Sequence, residues 1–414
     1  MNPKNGLWLV LLALVIVITD FQPLSAQTKK VKSNVGRKID SLQRKIDILS
    51  EEVDQLKTSS GKGDSGKTKK KTTIGGYGEL HYNGRTDPAD TDRLDFHRLV
   101  LFIGHRFNDW IVFNSEIEIE HSGIETGTEG EVRIEQAYLD FMAHDYLNVR
   151  GGMILVPLGI INETHEPPTF HGVERPNVET RIIPSTWNEL GIGIFGKLPL
   201  EGFQYKVYLM NSMDISSGTE IRNWRQRGTN NTFSKIRNIA ITGRLEYSIS
   251  QPFGLKLGGS WWYGKIGQQK FGGASPGLFL FNFDLRFNWR GLEIRGLFAQ
   301  GSLSKAENYT SATGTTVSKK FFGYYGEIAY NVLSLIDTDH YLAPFIRFEE
   351  YNREKELSNG STPDGKKHFK EVTLGLSYRP TPGVAIKADY QLITDGNNQT
   401  KVYDQWNLGL GFMF

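Results

Sequence analysis

From residue 74 onward, large apolar side chains fall on every second position, one stretch after another. In "LFLFNFDLRFNW" (278–289), Phe279, Phe281, Phe283, Leu285, Phe287 and Trp289 share one parity, and Asn282, Asp284, Arg286 and Asn288 share the other. "KEVTLGLSYR" sets Val372, Leu374, Leu376 and Tyr378 against Glu371, Thr373, Gly375, Ser377 and Arg379. "GVAIKADYQL" and the closing "YDQWNLGLGFMF" repeat the arrangement, the latter with Trp406, Leu408, Leu410, Phe412 and Phe414 on one side. A period of two puts the two sets on opposite faces of a β-strand.

The pattern predicts sixteen strands, at 74–84, 93–107, 110–121, 131–143, 147–156, 187–199, 202–211, 237–249, 254–264, 278–289, 292–300, 321–333, 341–351, 370–379, 383–394 and 402–414. The connections between them alternate long and short along the whole chain. A soluble sandwich has no reason to keep every second connection short, whereas an outer-membrane barrel has short turns at one end and long loops at the other. An even count of sixteen suits a barrel wide enough for a water-filled channel. The polar faces carry too many charges for a dry interior, so they are expected to line water while the apolar faces meet lipid. Trp110, Trp187, Trp261, Trp289 and Trp406 stand near strand ends, where an aromatic girdle belongs. The last strand is expected to close against the first near Ile74, with Phe414 at the rim.

Before the barrel the period changes. "MNPKNGLWLVLLALVIVITDFQPLSAQ" has Lys4, an apolar run from Leu7 to Ile18, then Ser25 and Ala26, which is the plan of a secretory signal peptide spanning 1–26. The run is too short for the roughly 20 residues of a membrane helix. Val35, Ile39, Leu42, Ile46, Leu49, Val53 and Leu56 then form a heptad seam within a helical segment, 27–57. It reads as a short parallel coiled coil, or else as one amphipathic helix lying on a surface. Residues 58–73 form a flexible, basic Gly/Ser/Lys linker, and the barrel takes 74–414. The fold class expected is therefore all-β: a 16-stranded antiparallel transmembrane β-barrel preceded by a short periplasmic coiled-coil helix, in the outer membrane of a Gram-negative bacterium.

Composition changes this picture in two places. Cysteine is absent, which excludes a disulfide scaffold and thiolate metal sites. The chain holds 48 Lys and Arg against 46 Asp and Glu; the signal takes one of each and residues 27–73 take 13 and 6, so the barrel keeps 34 against 39, a net of −5.

Several stretches are similar to the phosphate-selective porin O and P family: "DFHRLVLFIGHRFNDWIVFNSEIEIE" (95–120), "IEQAYLDF" (134–141), "GGMILVPLGI" (151–160), "VERP" (173–176) and "PSTWNELGIGIFG" (184–196). The resemblance implies a trimeric sixteen-stranded barrel, an inward third loop, and a lumen lined by arginine and lysine that conducts phosphate or related anions. A terminal phenylalanine such as Phe414 also resembles the signal that outer-membrane barrels present to their assembly machinery.

Parity puts Arg150, Lys206, Arg244, Arg286, Arg295, Arg347, Arg379 and Lys387 on the polar face, and Arg98, whose parity is ambiguous, joins them by resemblance. Guanidinium forks can replace the hydration of a phosphate with paired N–H donors. Glu116, Glu118, Glu246, Asp284, Glu293, Glu349, Glu371 and Asp389 share that face and weigh against simple anion selectivity. The longest connection, 157–186, carries five prolines and is expected to fold inward as the constriction, with Glu174, Arg175 and Arg181 as its constriction residues. Within it "THEPPTFH" holds His165 and His171, but the spacing is not HExxH and prolines break any helix, so no metal and no cofactor is expected. There is no Gly-x-Ser-x-Gly elbow, and no enzyme is expected. The expected function is passive diffusion of phosphate or other small anions. The alternatives are a general polar-solute porin, or a structural barrel that tethers cell wall or a partner through its coiled coil. Outer-membrane lipid is an expected partner and nucleic acid is not.

Overall fold

The computed structural model describes residues 71–86, 92–120, 130–224, 237–397 and 401–414. The expected signal peptide, the coiled-coil helix and the linker as far as residue 70 lie outside the described residues.

Sixteen strands follow in order: β1 (Lys71–Arg85), β2 (Arg93–Arg106), β3 (Ile111–Glu120), β4 (Glu131–His144), β5 (Leu147–Leu155), β6 (Asn188–Lys197), β7 (Phe203–Asn211), β8 (Ile239–Ile249), β9 (Gly254–Lys265), β10 (Gly277–Trp289), β11 (Leu292–Ser304), β12 (Ser318–Tyr330), β13 (Tyr341–Leu357), β14 (His368–Thr381), β15 (Val384–Asp395) and β16 (Lys401–Met413). Each pairs antiparallel with its sequence neighbours, and β16 returns to β1 to close the barrel. Every expected strand is present. The largest differences are at the long-loop end, where β13 runs on to Leu357 and β11 to Ser304. There "NREKEL" is polar on both faces, so hydrophobic alternation has nothing to mark. The expected linker gives up its last three residues to β1, which starts at Lys71.

The barrel is apolar outside. Phe283 (63% exposed), Ile192, Leu209, Leu245, Ile346, Leu374 and Leu410 all stand on the outer face. Trp110 and Trp289 are exposed at the short-turn end. Trp187 departs from the girdle expectation: it is fully buried, with its indole N–H donating to Glu189 and its backbone N–H to Asn162. Its position next to the longest loop, rather than next to a turn, draws it inside.

The interior is only partly wet, contrary to the expectation that the inner face lines water throughout. Trp262, Leu278, Leu280, Tyr208, Met210 and Ala299 point inward and pack with Ile160, Ile161, Val178, Ile182 and Ile183 of the β5–β6 connection. Burying each large apolar side chain contributes about 1.5–3 kcal/mol, enough to hold a loop inside a barrel. The alternating pattern hid this core because only the ends of the inner faces, at the long-loop side, are apolar.

Among several irregularities in the ladder, two β-bulges shape the interior beside the longest loop. Glu79 faces Arg98 but Leu80 faces Phe96, which leaves His97 as the extra residue in β2. Glu116 faces Gln136 but Ile117 faces Ile134, which leaves Glu135 extra in β4. Each bulge lets two successive side chains face inward. The first explains why the parity of Arg98 was ambiguous.

The seam between β1 and β16 is built from rings over glycines. Gly76 and Phe414 exchange backbone hydrogen bonds of 3.0 and 2.9 Å. Above them the Phe412 ring lies against Gly78, where an added Cβ would stand 2.6 Å from Cζ. Gly78→Val should therefore displace the ring and destabilise the barrel by about 1–3 kcal/mol. Urea unfolding in lipid vesicles measures this, and an unchanged midpoint would show that the ring does not occupy the glycine face.

Candidate functional site

The 156–187 connection, L3, folds into the barrel and is the centre of the candidate site. Its neck is closed by a backbone bond from the Val156 N–H to the Trp187 carbonyl (2.8 Å) and by one side chain. Asn162 Nδ2 donates to the carbonyls of Val156 (2.6 Å) and Trp187 (3.0 Å), and its Oδ1 accepts from the Trp187 N–H at 2.7 Å.

Beyond the neck, L3 crosses the interior and takes its hydrogen bonds from the wall. Glu179, within a helical turn at Val178–Ile182, accepts the N–H groups of Ile160 and Ile161, both at 2.7 Å, and the hydroxyl of Tyr325 at 2.6 Å. Burial pushes the Glu179 carboxyl above its usual range, while the two N–H groups and the hydroxyl act in the opposite direction. Wall carboxylates cap other N–H groups, Asp389 that of Val173 (2.6 Å) and Glu349 that of Val178 (3.0 Å). Wall cations take the carbonyls: Lys387 that of Gly172 (2.8 Å), Arg295 that of Thr169 (2.7 Å) and Arg244 that of Gly159 (3.3 Å). Glycines let the loop lie close: a Cβ on Gly411 would meet Pro167 at 2.3 Å.

All nine basic residues expected on the wall face the interior, but they do not form an open row of guanidinium groups. Arg98 bonds Glu79 (2.6 Å) and Glu118 (2.9 Å), and Glu118 also accepts from Arg133 at 2.7 Å. Arg150 grips Asp140 with two bonds of 2.7 and 2.9 Å, while its guanidinium sits over Tyr138. Arg244 holds Asp284 in the same bidentate way and shares Glu246 with Arg286. Arg347 pairs with Glu349 at 2.8 Å and Glu327 at 3.4 Å. Arg379 lies over the Tyr341 ring, Lys387 lies over Phe170, and Lys206 meets Glu163 of L3 at 2.6 Å. A buried pair of this kind contributes orientation more than net stability, and removing one partner leaves an expensive charge behind.

The three L3 residues expected at the constriction lie together. Glu174, Arg175 and Arg181 line one cavity of about 340 Å³ with His81, Arg85, Arg93, His97, Arg98 and Arg222. Glu174 accepts from Asn83 at 2.9 Å and stands 3.3 Å from His81 Nδ1. Arg175 donates to the His165 carbonyl at 3.2 Å. His81 and His97 stack with centroids 4.9 Å apart. His165 and His171 do not share a site: His165 faces Glu135, and His171 faces Glu327 (2.7 Å) and Tyr341 (2.9 Å).

Sequence reasoning missed His81, Arg85, Arg93, His97, Arg222 and Glu179. The first three share an inward parity that could have been read from "GELHYNGR" and its partner strand. Both bulges also leave a trace, since apolar parity switches from Leu94 and Phe96 to Leu99 and Leu101, and from Val132 and Ile134 to Leu139 and Phe141. Arg222 and Glu179 lie in loops, where no period marks them.

Glu179→Ala should leave two N–H groups and a hydroxyl unsatisfied, at about 1–3 kcal/mol each, and release L3. Trypsin should then cut after Arg181 in folded barrels of this variant, while the parent and Glu179→Gln stay intact. Equal cleavage of all three would remove Glu179 as the anchor.

No family model matches the chain. Several solved structures share its fold: the OmpF of Salmonella typhi in complex with daunomycin, at a TM-score of 0.55 and 10% identity over 83% of this chain and 97% of that one; the outer-membrane channel DcaP of Acinetobacter baumannii, at 0.54 and 12% over 85% and 99%; and an anion-selective porin from Comamonas acidovorans, at 0.51 and 12% over 84% and 100%. At these identities the likeness is one of fold. A protein of Aquifex aeolicus (strain VF5), described only as uncharacterized, is 35% identical over 363 residues, which are 84% of this chain and 81% of that one. At that identity and coverage, this sixteen-stranded barrel belongs to the same family as the Aquifex aeolicus protein.

Proposed function

We propose that the chain is an outer-membrane porin through which phosphate or other small anions diffuse passively, with L3 as its constriction. No helix among the described residues is long and apolar enough to cross a membrane, and the surface suited to lipid is the apolar outer face of the strands. One observation carries the anionic reading. Although the barrel as a whole is acidic, the cavity over L3 is lined by six arginines (Arg85, Arg93, Arg98, Arg175, Arg181 and Arg222) against three glutamates, Glu79, Glu120 and Glu174. Wall acids that would repel an anion elsewhere are engaged by Arg133, Arg150, Arg244 and Arg347 or by L3 backbone. Focused positive potential in a low-dielectric passage raises the local anion concentration. Among the structures of like fold, the Comamonas acidovorans protein is an anion-selective porin.

The same reading places the chain in the outer membrane as a homotrimer, delivered by the signal at 1–26 and recognised by assembly machinery through Phe414. The heptad pattern at 27–57 supports a cell-wall or partner tether as a secondary role.

Planar-bilayer recording tests the channel. In a potassium chloride gradient the reversal potential should give a chloride/potassium permeability ratio above one, and added phosphate should reduce the chloride current. Arg181→Glu and Arg222→Glu should each lower the ratio on the order of two- to fivefold. A ratio at or below one that ignores phosphate would leave the general polar-solute porin, and absence of ohmic conductance would leave the tether.

A further inference from the structure

We propose that Glu116, Glu135 and His165 bind one first-row divalent cation, zinc being the best chemical match, and that this ion pins L3 to the barrel wall. The three residues come from separate pieces of backbone, Glu116 from β3, Glu135 from β4 and His165 from L3. One donor atom from each lies within 4.8 Å of the other two. All are buried, His165 at 2% exposure and Glu135 at 0%. His165 Nε2 and Glu135 Oε2 stand 3.2 Å apart. Two ligands each bonded at ~2.0–2.1 Å to a tetrahedral zinc stand about 3.3 Å from each other.

A second observation is independent of that spacing. Glu135 Oε1 has no hydrogen-bond partner among the described residues, although it is shut away from solvent. The Tyr77 hydroxyl and both polar atoms of the Asn114 side chain are in the same condition. The Tyr77 ring meets His165 edge-on at 5.9 Å, and Asn114 precedes Glu116 by two residues on the same face of β3. Buried polar atoms without partners are rare in folded proteins, and an ion or an ordered water is the usual reason for a group of them.

The surrounding charge is mixed: Arg98 and Arg175 lie near Glu135, while their bonds go to other groups. In this wall Arg98 engages Glu79 and Glu118, and Arg133 engages Glu118 and Glu120. The Arg175 guanidinium donates to the His165 carbonyl and to Ser185. A divalent ion would neutralise Glu116 and Glu135 with His165 as a neutral third donor. One imidazole nitrogen and two carboxylates suit zinc better than calcium or magnesium, which favour all-oxygen shells. The bulge in β4 makes the site, because it turns Glu135 and Gln136 inward together.

The test uses the full chain folded in detergent, stripped with chelator and then supplied with zinc chloride. Elemental analysis should count one zinc per chain, and cobalt should give the intense visible absorption of a four-coordinate site. Titration calorimetry should show binding weakened at least tenfold in Glu135→Gln and in His165→Ala. His171→Ala, altered at the other loop histidine, should bind as the parent does. Heat-shifted gel mobility confirms that each barrel is closed, and His165→Gln replaces the alanine variant if that one stays open. Unaltered protein that retains no stoichiometric zinc overturns the proposal, as does binding that survives both substitutions; His165 and Glu135 are then an ion pair only. Bilayer conductance is read separately, so loss of the metal site would leave the channel reading standing.

Discussion

A loop drawn into a closed barrel brings its backbone N–H and C=O groups to a place where little water can reach them, and each must find a protein partner. That requirement organises the interior. L3 makes few regular hydrogen bonds of its own, so the wall supplies them: carboxylates of Asp389 and Glu349 for N–H groups, and Lys387, Arg295 and Arg244 for carbonyls. Glu179 does the same from within the loop. The surplus of acid in the barrel follows from this use. Many wall carboxylates are structural acceptors, and the arginines beside them fix their positions.

This division of labour separates two zones of charge. Deep in the wall, arginine and carboxylate pair at short range and cancel. Over L3, arginines from β1, β2, L3 and the β7–β8 connection meet around one cavity. Counting charges over the whole barrel averages these zones and hides the difference. Net charge bears on fields at long range, whereas a permeating ion responds to the groups that line its path.

The strands were legible because each has one face inside and one outside, and geometry stamps that on the order of residues. Even the bulges left a slip in the apolar phase, at Phe96 to Leu99 and at Ile134 to Leu139. The inward orientation of Arg150, Arg244 and Arg347 was legible for the same reason. Their partners were not. Glu179 meets Tyr325 and His171 meets Glu327 across about 150 positions of sequence, and no local pattern encodes such meetings. The dry core beneath L3 was missed because Leu278 and Leu280 share their parity with Asn282 and Asp284. One face of one strand serves two environments.

The ring-over-glycine seam carries a consequence for how the barrel forms. Phe412 and Phe414 find their glycine beds in β1, the first of the sixteen described strands, while β16 is the last. Until β16 exists, β1 and β15 both present unpaired edges, and such edges invite adhesion to other chains. Pairing of β16 with β1 removes both edges in one step, so the aromatic–glycine seam is the contact that completes the circle.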